Sequence, residues 1–333
     1  MSVHMIDRDV QFRNLSSEQR EQLMIQVAKR YYELDMTMGD LSKELGLTRW
    51  QASRLLTEAR QTGIVRIDIF PLSPRRPDLE SRLQKQYRLK EAIVVPGMDD
   101  AENSTFLLDS VARAAARFIT SLGKLSVLGV SWGRTMSAVA RHLPPFWNEG
   151  IEVVSLNGAT NVRSTSQVSN NVAERFAQTA NGTATLLPVP AILGQEATRI
   201  ALEQDPTIAK ILEMGRKAPV ICFGLGALNP DSVLVQSGFI SENDVAALRG
   251  KGAVGDVLSR FIDARGSIVD AIFEARSIGL NLAECGKRDL SIGVSAGRNK
   301  HAVTLASLRA GYVNVLVTDE QTALFLLSSE ASK

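Results

Sequence analysis

The chain has 333 residues, 44% of them hydrophobic and 22% charged, with a formal net charge of +2. That length suits about two domains, and the near-neutral balance excludes a protein that coats nucleic acid, although it leaves room for one small basic module. No apolar run approaches the ~20 residues of a membrane span, Met1–Arg8 lacks a signal-peptide core, and two cysteines with three scattered histidines make neither a disulfide framework nor a metal site; a cytoplasmic protein without membrane contact, metal or cofactor is expected.

Residues 1–70 read as a helical domain. A first helix, about Glu18–Leu34, offers Leu23, Val27, Ala28, Tyr31 and Leu34 as a packing face. Thr37 followed by Asp40 is a variant capping box that opens a second helix, Gly46 supplies a tight turn, and Thr48 with Gln51 is a further capping box that opens a third. Leu41, Leu45, Leu47, Ala52 and Leu55 then fall where two crossed helices touch, with the small Ser42 at their closest approach. That pattern is a helix-turn-helix. Thr37, Thr48, Arg49, Trp50, Gln51, Ser53 and Arg54 are its candidate contacts to double-stranded DNA, because arginine matches guanine O6 and N7, glutamine matches adenine N6 and N7, and hydroxyls suit phosphates. Ile64–Phe70 reads as the strand of a small wing. A helical hairpin with an incidental polar face is the alternative.

Pro71, Pro74 and Pro77 break the chain, so residues 71–90 read as a linker carrying a charged helix, about Asp78–Leu89, with a possible role in oligomerisation. Residues 91–333 then alternate strand-like apolar runs (Ser126–Val130, Ile151–Leu156, Ala184–Pro190, Val220–Gly224, Leu290–Ser295, Asn314–Thr318) with helical segments (Thr105–Leu122, Val168–Thr179, Ala197–Met214, Lys300–Ala310). Continuous apolar strands between helices predict a doubly wound, mostly parallel α/β sheet covered on both faces.

Ligands of such sheets bind beyond the carboxyl ends of the strands. The loops expected there are rich in glycine and polar groups: Ser131, Trp132, Gly133, Arg134 and Thr135; Asn157 and Gly158; Gly226; Lys300; and Asp319 with Glu320. Glycines admit backbone N–H groups to a ligand, helix N-termini favour anions, and Arg134 and Lys300 add fixed positive charge. Together they suit a phosphorylated or polyhydroxylated small molecule. Trp132 fits equally as a stacking surface for a sugar or as core.

The helix-turn-helix together with Gly129–Thr135, Gly252–Asp256, Ser295–Lys300 and Leu316–Ala323 resembles the SorC family of sugar-responsive bacterial regulators, from about Ser17 to Leu327. The resemblance implies an effector domain similar to the glucosamine-6-phosphate deaminase and ribose-5-phosphate isomerase fold, a sugar, polyol or sugar-phosphate effector, and a homotetramer built as a dimer of dimers. It also implies that Ser131–Thr135 and Gly297–Lys300 are phosphate loops, and that Asp256 bonds a ligand hydroxyl. Local sequence alone makes Asp256 as readily the N-cap of a helix running towards Phe261 and Asp263.

In the stretch that resembles the deaminase catalytic loop, Gly224–Asp231, there is no histidine and the carboxylate is displaced. General acid–base chemistry needs a titrating group within reach, so no catalytic residue and no enzyme activity are expected. The expected function is a DNA-binding regulator of a carbohydrate or polyol operon. The alternatives are a sugar-phosphate isomerase or deaminase with an appended helical domain, and a metabolite sensor whose helical module binds protein.

Overall fold

The computed structural model describes residues 15–66, 75–97, 104–158 and 172–329. The chain divides into two compact units, Met1–Leu72 and Ser73–Lys333.

The first unit contains α1 (Ser17–Tyr32), α2 (Met38–Glu44) and α3 (Arg49–Gln61). Each helix starts on a hydroxyl cap. Ser16 and Gln19 form a reciprocal capping box, Thr37 accepts from the Asp40 amide, and Thr48 and Gln51 form a second box. These caps satisfy backbone donors that have no partner within the helix. Gly46 turns the chain with φ +66° between α2 and α3. Val27, Leu41, Ala52, Leu55 and Ala59 are wholly buried and join the three helices into one core. Each buried leucine contributes about 1.5–3 kcal/mol of transfer free energy.

Two expectations fail here. Tyr31 and Leu34 are 38% and 66% exposed: the buried stripe of α1 is Met24, Val27 and Ala28, Tyr31 lies on its last turn, and Leu34 follows the helix end. Ile64–Arg66 are irregular rather than a strand, and residues 67–70 of the expected wing lie outside the described residues.

The second unit opens with α4 (Pro77–Tyr87), whose Leu79 and Leu83 are buried in the core of this unit and whose Tyr87 hydroxyl donates to the Leu326 carbonyl. The segment read as a linker is therefore, from Pro77 onward, part of the α/β unit. Next come β1 (Glu91–Val95), α5 (Ser104–Ser121), β2 (Val127–Val130), α6 (Arg134–Arg141), β3 (Glu152–Ser155), α7 (Val172–Thr179) and β4 (Thr183–Thr185). Then follow α8 (Glu196–Gln204), α9 (Pro206–Lys217), β5 (Val220–Ala227), α10 (Val233–Gln236), α11 (Glu242–Gly250), β6 (Gly255–Val257) and β7 (Arg260–Ile262). The chain ends with α12 (Ala271–Arg276), α13 (Leu282–Cys285), β8 (Leu290–Val294), a 3-10 turn at Arg298–Lys300, α14 (His301–Arg309), β9 (Val315–Asp319) and α15 (Glu320–Ser328).

The main sheet has the order β1-β9-β8-β5-β2-β3-β4, and every neighbouring pair on that path is parallel. Its doubly wound character shows in single strands. Ala92 and Val94 of β1 enter one hydrophobic cluster while Ile93 and Val95 enter the other, and Leu316 and Val317 of β9 divide in the same way. Successive side chains point to opposite faces, and both faces are buried.

Some elements differ from the sequence-based expectation. β1 was not anticipated. Of the run 184–190 only Ala184 and Thr185 lie on a strand, β4, which begins one residue earlier at Thr183. The expected helix 197–214 is two helices, because Pro206 has no N–H to continue α8 and Asp205 caps α9 instead. Asp256 lies on strand β6, not at a helix start; β6 pairs antiparallel with the far end of β5 and with β7.

Candidate functional site

In the first unit, α3 presents Arg49, Trp50, Ser53 and Arg54 to solvent, as the sequence implied. Gln51 does not belong with them. It is 1% exposed and its Oε1 accepts from the Thr48 amide at 2.8 Å, so the capping box that starts the helix consumes the side chain expected to read adenine. The Thr37 hydroxyl likewise donates to Asp40 at 2.6 Å while accepting from the Asp40 amide, and Thr48 Oγ1 accepts from the Gln51 amide at 3.2 Å. Both threonines position helices, while Arg49, Trp50, Ser53 and Arg54 remain as the surface.

In the second unit, a cleft of about 480 Å³ opens beyond the carboxyl ends of β2, β5 and β8. The chain leaves β2 for β3 on one side of the sheet, and β5 is followed by β8 on the other, so the crevice lies where the strand order reverses. Ser131, Trp132, Gly133, Arg134, Thr135, Asn157, Gly226, Asp256 and Lys300 all line it.

One end of this cleft is cationic. Helix α6 begins at Arg134 behind Gly133, which has no side chain to cap the first turn, an end suited to an anion. Lys300 Nζ donates to Thr135 Oγ1 at 2.9 Å, bringing the β8 loop onto that helix end. Burial lowers the Lys300 ammonium to a pKa of about 8; the Arg134 charge adds to the effect and Asp256 opposes it.

Another wall is polar and acidic. Asp256 sits directly over Gly226, where a Cβ would meet its Oδ1 at 1.9 Å, so only glycine fits beneath the carboxylate. Burial pushes the Asp256 carboxyl up to about 6, against the Ser259 amide and the Lys300 charge. Leu258 and Ser259 form a two-residue turn between β6 and β7 with φ +51° and +68°, values that cost a non-glycine residue strain. The turn is held by Ser259 N–H donating to Asp256 Oδ2 at 3.2 Å and by Asn157 Nδ2 donating to Ser259 Oγ at 3.0 Å. Asn157 Oδ1 and Trp132 Nε1 are buried and have no hydrogen-bond partner among the described residues. Trp132 packs edge-on to Phe239 at 5.8 Å and also lines the cleft.

Three expected cleft residues fall elsewhere. Gly158 packs against the Val189 and Pro190 carbonyls. Asp319 is fully buried, caps α15 through Thr322 and accepts from the Gly297 amide at 2.9 Å, so it braces the Lys300 loop from behind. Glu320 pairs with Arg76 at 2.9 Å and accepts from the Gly97 amide. Sequence reasoning also missed Thr105, Leu107 and Leu108 of α5, Arg141, Ser232 and Ser259. Only Ser259 carried a local signal, its place three residues after Asp256. The cleft holds a titratable carboxylate after all, since pairing of β5 with β6 brings Asp256 in from 30 residues beyond Gly226.

Residues 75–328 match the family model described as "Putative sugar-binding domain". The chain is 30% identical over 311 residues to the deoxyribonucleoside regulator of Bacillus subtilis (strain 168), covering 93% of this chain and 98% of that one. It is 30% identical over 313 residues to the transcriptional regulator LsrR of Escherichia coli O157:H7, covering 93% and 95%. Among solved structures, the full-length sorbitol operon regulator SorC of Klebsiella pneumoniae superimposes with a TM-score of 0.71 at 27% identity, covering 94% of this chain and all of that one. A DeoR family transcriptional regulator of Listeria monocytogenes superimposes with a TM-score of 0.68 at 26% identity, covering 75% and 98%. With this sheet, this cleft and matches spanning both units, the chain belongs to the SorC-type family of transcriptional regulators that carry a sugar-binding domain.

Proposed function

We propose that this regulator docks double-stranded operator DNA with α3 and adjusts its grip when the cleft takes up a phosphorylated sugar or polyol. The observation that carries the ligand class is the make-up of one cleft. An uncapped helix end with Lys300 and Arg134 suits a phosphate, while Asp256, Asn157 Oδ1 and Trp132 Nε1 suit hydroxyls. The relatives named for deoxyribonucleoside and sorbitol regulation are consistent with that class. Asn157, Ser259 and Asp256 join the hydroxyl end to the strained β6–β7 turn, so a ligand that drew on those groups would favour one conformation of the turn over another. Such differential affinity is what a ligand needs to shift an equilibrium.

The protein acts as a cytoplasmic homotetramer on this reading, and binds its ligand without turning it over. A second reading, catalysis on a sugar phosphate, has one observation in its favour: Asp256 and Lys300 titrate near 6 and 8 within the same cleft. The test combines a mobility shift on duplexes selected from a random pool with titration of sugars, polyols and their phosphates. Specific retardation altered by a phosphorylated member is expected, with the compound recovered unchanged. Conversion of the compound would favour the second reading, and the absence of any specific retardation would overturn the first.

A further inference from the structure

We propose that Glu58, tethered by Arg20, is a positioning residue that fixes Arg54 against Trp50 so that Arg54 reads one guanine of the operator. The inference rests on the reading of α3 as the DNA-facing helix.

Trp50, Arg54 and Glu58 are four residues apart along α3 and share one face. The Arg54 guanidinium lies 5.4 Å from the centre of the Trp50 ring, and its Nε donates to Glu58 Oε1 at 3.2 Å. Glu58 is itself gripped from α1, with Arg20 Nε on Oε2 and Nη2 on Oε1, both at 2.8 Å. This two-point contact fixes the carboxylate plane, as a single contact would not. Hydrogen bonding from Arg20, opposed by burial and aided by Arg54, holds the Glu58 carboxyl below the usual range, so it stays charged.

Two features of this face stand out: one gains little from burial, and the other, besides tying α3 to α1, carries the wrong charge for a phosphate-facing surface. Trp50 is 64% exposed, so most of the indole gains nothing from burial. Glu58 places a negative charge on a surface meant for phosphates, which it repels. Both make sense as guides for Arg54. The ring supports the guanidinium face, the carboxylate engages Nε, and the terminal nitrogens are left for the O6 and N7 pair of guanine. An arginine held in this way surrenders less rotamer freedom on binding than a free one.

The test uses the full-length protein and a duplex selected from a random pool, with each base pair then substituted singly and a scrambled duplex as reference. Arg54→Ala should flatten discrimination at one G·C pair. Glu58→Gln, which keeps size and polarity, should lower discrimination at that same pair at least fivefold, out of the roughly 5- to 150-fold a bidentate contact supplies. Its affinity for the scrambled duplex should hold or rise, because a repelling charge has gone. Arg20→Gln should reproduce the loss in smaller measure, with melting temperature recorded for each variant.

Retained discrimination in Glu58→Gln overturns the proposal, as does a parallel fall on specific and scrambled duplexes, which marks a structural role. A uniform loss across all base pairs in Arg54→Ala also overturns it, by making Arg54 a phosphate contact. A wild-type protein that selects no consensus instead overturns the reading of α3 itself.

Discussion

Replacing Lys300 by glutamine tests the cationic end of the cleft. The ammonium donates to Thr135 Oγ1 beside the open end of α6, so a phosphate there would gain one charge-assisted hydrogen bond from it. Such a bond is worth about 1.5–3 kcal/mol, or roughly 12- to 150-fold in affinity. At a concentration of about one hundred times Kd, a ligand stabilises the native state by about 2.7 kcal/mol; a thirtyfold loss of affinity leaves about 0.9 kcal/mol. For a unit of this size that difference lowers the ligand-induced rise in Tm by roughly 4–7 °C.

The assay is thermal melting and calorimetric titration with inorganic phosphate, a pentose 5-phosphate and a hexitol 6-phosphate, each sugar phosphate beside its unphosphorylated parent. Because burial lowers Lys300 to about 8, the free protein loses this cation as pH rises through that value. Affinity for the phosphorylated probes should therefore fall about tenfold per pH unit above it, until the bound form also deprotonates. A phosphate ester gains its second charge near pH 6, so binding should be tightest at about pH 7. Without ligand the sign reverses. The desolvated cation costs stability below about pH 8, and that stability returns between about 8 and the ordinary lysine value of 10.5. The glutamine variant should lack both slopes. Equal affinity of the two proteins for the phosphorylated probes, or a flat wild-type profile from pH 7 to 9.5, would refute the assignment.

Gly226→Ala drives a methyl group into Asp256 Oδ1, so the carboxylate must swing away. About 1–3 kcal/mol of stability should be lost to overpacking, together with most binding of polyhydroxylated probes; unchanged melting and titration would mean that Asp256 is not held over this glycine. Thr48→Ala removes the cap of α3 and the reciprocal partner of Gln51, at about 1 kcal/mol. Hydrogen exchange should show the first turn of α3 opening and operator affinity falling with it, whereas full protection would show that the cap is dispensable.

Much of this protein was legible locally. Thr37, Gly46, Thr48 and the leucines around them specify two short helices because caps, turns and 3.6-residue periodicity act over a few neighbours. Apolar runs such as Leu290–Ser295 and Asn314–Thr318 announced a parallel sheet for the same reason, and the loops expected after β2 and β8 do line one cleft beyond its strands. Other assignments depended on partners distant in sequence. Gln51 has the chemistry to read adenine, yet satisfying a backbone donor at a buried helix start claims it. Asp319 and Glu320 stand at a strand end like the true cleft residues, but Thr322, Gly297 and Arg76 take their oxygens. Asp256 reads locally as a helix cap; pairing of β6 with the extension of β5 makes it a cleft carboxylate with a pKa near 6. Local sequence thus determined most of the helices and strands and the parallel character of the sheet. Which polar side chains stay free there was decided only by folding, because a hydrogen-bonding group is spent on whichever partner the tertiary structure brings nearest.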